Sequence, residues 1–108
     1  LAFMNLPIMA QYCASKSALH SITQAIRAEL KSKSIEVFEV FPGPMDTEMS
    51  KNLQMDKATP LQVVLNTFDG LTNKDFEIFP DDYSKNIISM VKNNSKKLEQ
   101  QFACSIQQ

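Results

Sequence analysis

The sequence is poor in several things. It has two glycines, two cysteines and one histidine, and its 11 basic residues face 12 acidic ones. A formal net charge of −1 leaves no electrostatic footprint for nucleic acid or for an anionic membrane surface. Two thiols, Cys13 and Cys104, make no disulfide framework, and neither stands at a metal-ligand spacing, so no metal site is expected. No apolar run approaches the length of a bilayer span, and no basic segment followed by an apolar stretch marks a signal peptide. These absences predict a reducing, cytoplasmic setting with no membrane and no nucleic-acid partner. The chain opens on Leu1 without an initiator methionine, a hint of truncation. No repeat and no low-complexity tract is read in it.

What is there is ordinary globular material. The 108 residues are 44% hydrophobic and 21% charged, which suits one domain or part of one. Leu1 to Met4 is apolar and reads as the end of a strand, and Pro7 lies in a loop after it. From Ala10 to about Lys31 there is neither glycine nor proline, and the residues suit a helix. Leu19, Ile22, Ile26 and Leu30 form a large apolar stripe on it. Ala14, Ala18, Ser21, Ala25 and Ala28 form a second, small-residue stripe. A helix covering one sheet needs one such stripe. Two fit either burial within a larger chain or contact with a helix of a second subunit.

Ile35 to Phe41 is β-branched and aromatic, ends at Pro42-Gly43, and is the best strand. Thr59-Pro60-Leu61-Gln62 carries a capping-box helix start, and Gly70 offers a stop. Phe76 to Phe79 reads as a short strand, Pro80-Asp81-Asp82 as the start of a further helix, and Ser95 as the start of a last one. Helices alternating with apolar strands predict a parallel α/β sheet. Two or three strands leave bare edges and too little core, so further strands are expected N-terminal to Leu1.

Tyr12 and Lys16 are four residues apart on the first helix and share a face. A cation beside a phenol favours the phenolate, and such a pair suits proton exchange in an alcohol/carbonyl interconversion. Spacing alone also fits a surface pair near a helix N-terminus. The intervening residues sharpen the choice. Tyr12-Cys13-Ala14-Ser15-Lys16 resembles the Tyr-x-Ala-Ser-Lys signature of the short-chain dehydrogenases/reductases. The following Ser17-Ala18-Leu19, the helix through Arg27-Ala28-Glu29-Leu30, and Pro42-Gly43-Pro44-Met45-Asp46-Thr47 after a strand fit the same family. That last segment resembles the family's Pro-Gly-x-x-x-Thr element beside the nicotinamide.

The resemblance implies the C-terminal part of a Rossmann-like, doubly wound parallel sheet with flanking helices. Residues 1–108 would be one portion of a single domain: a catalytic helix over 10–32, a strand over 35–41, a lid over 44–73, and a strand with helices over 76–108. It also implies roles. Tyr12 would be the general acid/base and would touch the coenzyme. Lys16 would hold the nicotinamide ribose hydroxyls and act on Tyr12. Pro42, Gly43, Met45 and Thr47 would bind the nicotinamide end of NAD or NADP. The substrate would be a small-molecule alcohol or carbonyl, and helix 10–32 would join copies into a homo-oligomer. The family's glycine-rich phosphate turn, its determinant of NAD against NADP and its catalytic serine have no counterpart in the sequence, so the chain by itself is expected to be inactive. The alternative is a non-catalytic fragment that keeps the motifs and serves as a dimerisation or interaction module.

Other residues read more simply. His20 belongs to the helix's polar sector. Asp46, Glu48, Asp81 and Asp82 suit the first turns of helices. Lys92, Lys96 and Lys97 form a solvated face. Cys13 is a buried thiol beside Tyr12. Met45, Met49 and Met55 flank the lid, within reach of an apolar substrate.

Overall fold

A computed structural model of the chain describes residues 1–43 and 58–106. Met45, Thr47 and the first half of the expected lid therefore lie outside the described residues. The elements run helix α1 (Ala10–Leu30), strand β1 (Glu39–Val40), helix α2 (Pro60–Thr72), strand β2 (Glu77–Ile78) and helix α3 (Asp82–Ala103). Short 3-10 turns occupy Pro7–Met9, Lys31–Lys33 and Cys104–Ile106. The two strands are parallel, and the architecture is α/β as expected. The chain divides into two compact units, Leu1–Val37 with Ile88–Gln108, and Phe38–Ile87.

In the first unit α1 runs 21 residues, as the absence of glycine and proline allows. It ends in a Schellman turn. Ser34 takes the left-handed conformation (φ 58°, ψ 33°) and donates its amide to the Lys31 carbonyl at 3.1 Å. The Ile35 amide reaches the Leu30 carbonyl at 3.3 Å. Cys13 is the one buried residue of α1. Leu19, Ile22 and Ile26 of the apolar stripe are exposed, as is the whole small-residue stripe. Leu1–Met4 is not a strand, because no strand runs beside it among the described residues. Leu98 of α3 is buried in this unit, and Ser105 accepts from the Ile8 amide at 3.3 Å.

In the second unit β1 and β2 align Glu39 with Glu77 and Val40 with Ile78. The ladder is shorter than the 35–41 strand expected. A strand extends only as far as a partner accompanies it, and β2 offers residues 76–78. The Glu39 amide donates to the Phe76 carbonyl and the Phe41 amide to the Ile78 carbonyl, both at 2.9 Å. Phe38 stacks on Phe76 and Phe41 on Phe79, with ring centroids 5.0 and 5.2 Å apart.

The register exposes a short repeat where none was expected. Residues 38–43 are Phe-Glu-Val-Phe-Pro-Gly, and residues 76–81 are Phe-Glu-Ile-Phe-Pro-Asp. The copies lie side by side in parallel, like residue against like. Each copy is six residues long, far shorter than the periods that mark repeat folds.

α2 starts at the expected capping box. Thr59 Oγ1 accepts from the Gln62 amide at 3.2 Å, and Gln62 Oε1 accepts from the Thr59 amide at 3.1 Å. The expected stop at Gly70 is wrong: the helix continues to Thr72, and Lys74 supplies the left-handed residue (φ 61°) of a second Schellman turn. Gly70 serves contact instead. A Cβ there would stand 2.8 Å from Cδ1 and Cγ1 of buried Ile78, so the missing side chain is what lets α2 lie on β2. α3 holds the two C-terminal helices expected from sequence, set end to end across a kink. Its path breaks at Asn94 (φ −156°, ψ 56°), one residue before the expected start at Ser95.

Candidate active site

Tyr12 and Lys16 stand in the first two turns of α1. The segment before them is held tightly. Proline opens the turn Pro7–Met9, and the Met9 amide reaches the Leu6 carbonyl at 2.8 Å. The buried Cys13 sulfur accepts from the Leu6 amide at 3.4 Å, and Ser17 Oγ donates to the Ala2 carbonyl at 2.8 Å. Cys13 thus anchors the inner side of α1, which turns its neighbour Tyr12 outward. Tyr12 is 49% exposed and Lys16 is half-buried. Lys16 Nζ lies 5.3 Å from the Tyr12 ring centroid, within the ~6 Å range of a cation–π contact. Ser15 turns its hydroxyl back onto the Tyr12 carbonyl at 2.7 Å. Of the motif, Tyr12 presents an exposed side chain, with the Lys16 cation over its ring.

Pro42 and Gly43 follow β1 in the second unit. A loop leaving the C-terminal end of a parallel strand is where α/β sheets bind ligands. The Gly43 amide donates to Asp81 Oδ2 at 2.7 Å. A Cβ on Gly43 would meet Asp81 Oδ1 at 2.6 Å and Tyr83 Cδ1 at 2.9 Å, so only glycine brings the backbone this close. Since this amide is engaged by Asp81, a backbone contact from Gly43 to a ligand falls to its carbonyl.

Asp81 corrects a sequence expectation. It lies just ahead of α3 and caps it: Oδ1 accepts from the Ser84 amide at 2.8 Å. At 7% exposure it is buried, and it bonds at the same time to a residue 38 positions away. The hexapeptide repeat, which sets Asp81 opposite Gly43, is the signal in the sequence that could have found it. His20 differs from expectation too. It is half-buried, with its ring 4.7 Å from that of Phe3. Among the described residues no helix is long and apolar enough to cross a membrane.

The sequence model of the short chain dehydrogenase family matches residues 1–58, which include Tyr12, Lys16, Pro42 and Gly43. An uncharacterized oxidoreductase DltE of Bacillus subtilis is 41% identical over 51 residues, 47% of this chain and 20% of that protein. An uncharacterized oxidoreductase SSP0419 of Staphylococcus saprophyticus is 46% identical over 39 residues, 36% of this chain and 17% of that protein. A short chain dehydrogenase from Burkholderia cenocepacia, whose crystal structure is a complex with NADP, superimposes with a TM-score of 0.86 at 31% identity. That superposition covers 94% of this chain and 43% of the other. The chain thus spans under half the length of each of these relatives.

Proposed function

The chain belongs to the short-chain dehydrogenase family, and on that premise we propose that the protein is an NAD(P)-dependent oxidoreductase of an alcohol or carbonyl substrate. The observation that carries the reading is the pair Tyr12 and Lys16, one turn apart on α1 inside the matched stretch. The NADP held by the Burkholderia cenocepacia relative supports the coenzyme class.

In this reading a bound nicotinamide coenzyme supplies or accepts the hydride. Tyr12 Oη gives its proton to the substrate's carbonyl oxygen in reduction and takes the hydroxyl proton in oxidation. Lys16 Nζ would bind the ribose hydroxyls, and it places a positive charge near the Tyr12 ring. Pro42, Gly43, Met45 and Thr47 would bind the nicotinamide end, as the family resemblance implies. The exposure of Tyr12 leaves its hydroxyl accessible to such a group. Activity requires the glycine-rich turn and the serine of the family, so residues 1–108 alone are inactive.

The two stripes of α1 fit a homo-oligomer through that helix, as they also fit burial within a longer chain. The test of function is coenzyme titration of the full-length protein by fluorescence, followed by a panel of ketones and aldehydes read by coenzyme absorbance. Binding of NADH or NADPH with turnover that depends on Tyr12 is expected. Failure to bind either coenzyme overturns the reading.

A further inference from the structure

We propose that Asp81 is a positioning residue for the coenzyme loop: its carboxylate fixes Gly43, and so sets where the segment leaving β1 begins. The inference rests on the reading of Pro42–Gly43 as coenzyme-binding.

Capping α3 explains only half of Asp81. A cap needs one acceptor, which serine, threonine or asparagine also supplies. Asp81 uses both oxygens, Oδ1 on the Ser84 amide at 2.8 Å and Oδ2 on the Gly43 amide at 2.7 Å. A carboxyl group whose two oxygens each accept a hydrogen bond has its plane fixed. The backbone of Asp81 is held as well. Ser84 Oγ donates to the Asp81 carbonyl at 3.0 Å, and the Lys85 amide reaches the same carbonyl at 3.1 Å. One residue earlier, Asn66 Nδ2 of α2 donates to the Pro80 carbonyl at 2.6 Å. Gly43 therefore hangs from a carboxylate that α2 and the start of α3 both brace. The absence of a Cβ on Gly43 is the matching half of the device, since any side chain would collide with Asp81 and Tyr83.

The test uses Asp81→Ser and Asp81→Asn in the full-length protein. Serine keeps an acceptor for Ser84 but is too short to reach Gly43; asparagine has one acceptor for two donors. Three quantities are measured: amide hydrogen exchange at Gly43 and Ser84, coenzyme Kd by fluorescence, and kcat at saturating coenzyme. In Asp81→Ser the Gly43 amide should exchange at least about tenfold faster while Ser84 stays protected. Coenzyme Kd and KM should rise by about tenfold, with kcat at saturation changed far less. If Asp81 were merely a cap, Asp81→Ser would leave both the Ser84 amide and the coenzyme affinity unchanged. Unchanged exchange at Gly43 overturns the inference and leaves the coenzyme reading standing. Faster exchange with unchanged Kd overturns the reading of Pro42–Gly43 as coenzyme loop, and the positioning role with it.

Discussion

Lys16 Nζ sits 5.3 Å from the centre of the Tyr12 ring, placed there by one turn of α1. The phenol and the ammonium group are thereby assigned different tasks, and substitution should separate them.

Tyr12→Phe in the full-length protein keeps the ring and removes the proton. Turnover should fall by about 10²–10⁴-fold, the usual worth of a positioned acid, with coenzyme Kd little changed. Steady-state kinetics and a coenzyme titration check both halves. Near-normal turnover would remove Tyr12 from the mechanism.

Lys16→Met keeps the length of the side chain and removes the charge. Turnover and coenzyme affinity should both weaken, because one cation is assigned to the ribose and to Tyr12. Titration of the variant with NADH and NADPH is decisive. A coenzyme Kd equal to that of the parent excludes the ribose contact.

Gly70→Ala sets two effects against each other. Alanine favours the helix by roughly 1 kcal/mol over glycine. The added Cβ would stand 2.8 Å from Ile78, which is β-branched and 4% exposed, so it cannot easily yield. Overpacking typically costs about 1–3 kcal/mol and should win. Denaturant midpoints should show a net loss, and Gly70→Ala with Ile78→Ala should cost less than the two singles added together. Additive losses would mean the contact is not tight.

Ser34→Gly should stabilise the protein. Ser34 is held at φ 58°, where a Cβ costs roughly 1–2 kcal/mol. Glycine's larger unfolded-state entropy returns about 0.4–1 kcal/mol of that. The net gain is about 0.5–1 kcal/mol, read as a raised denaturant midpoint with an unchanged m-value. A lower midpoint would contradict the Schellman geometry at the end of α1.

Residues 1–108 expressed alone should show no dehydrogenase turnover and only weak dinucleotide binding. Gly43 and Gly70 are the only glycines, so no glycine-rich turn can approach a pyrophosphate. The buried hydrophobic side chains among the described residues are Cys13, Val63, Ile78 and Leu98, a small core for cooperative folding. Titration with NADH and NADPH, together with a thermal melt, checks this. Low-micromolar affinity and a sharp melt would overturn it.

The sequence made α1 legible because nothing in Ala10–Leu30 interrupts a helix, and α2 because Thr59 and Gln62 form a local, three-residue signal. It misled at Gly70. A glycine announces that a side chain is missing, but the chain alone cannot say whether the space or the dihedral freedom is being used. Both glycines are spent on close approach, Gly43 to Asp81 and Gly70 to Ile78, and the left-handed positions fall to Ser34 and Lys74. β1 is shorter than its apolar residues suggest because residue preference does not reveal where a partner strand stops. Asp81 looked like an ordinary acidic residue at a helix start because its second partner is 38 residues distant. Tyr12 and Lys16 stood out through the motif around them rather than through their spacing.

The paired hexapeptides have one more consequence. A strand laid in parallel beside a near-copy of itself, like on like, has the same arrangement that separate molecules adopt when identical segments stack into fibres. The four residues before each proline are thus similar enough to pair in the same register between molecules, although an exchanged 38–43 segment would lack the Asp81 carboxylate that holds Gly43. Pro42 and Pro80 limit it. Neither carries an amide hydrogen, so the interchangeable stretch is confined to the four residues before each proline, too short to propagate without the packing of α2 behind it.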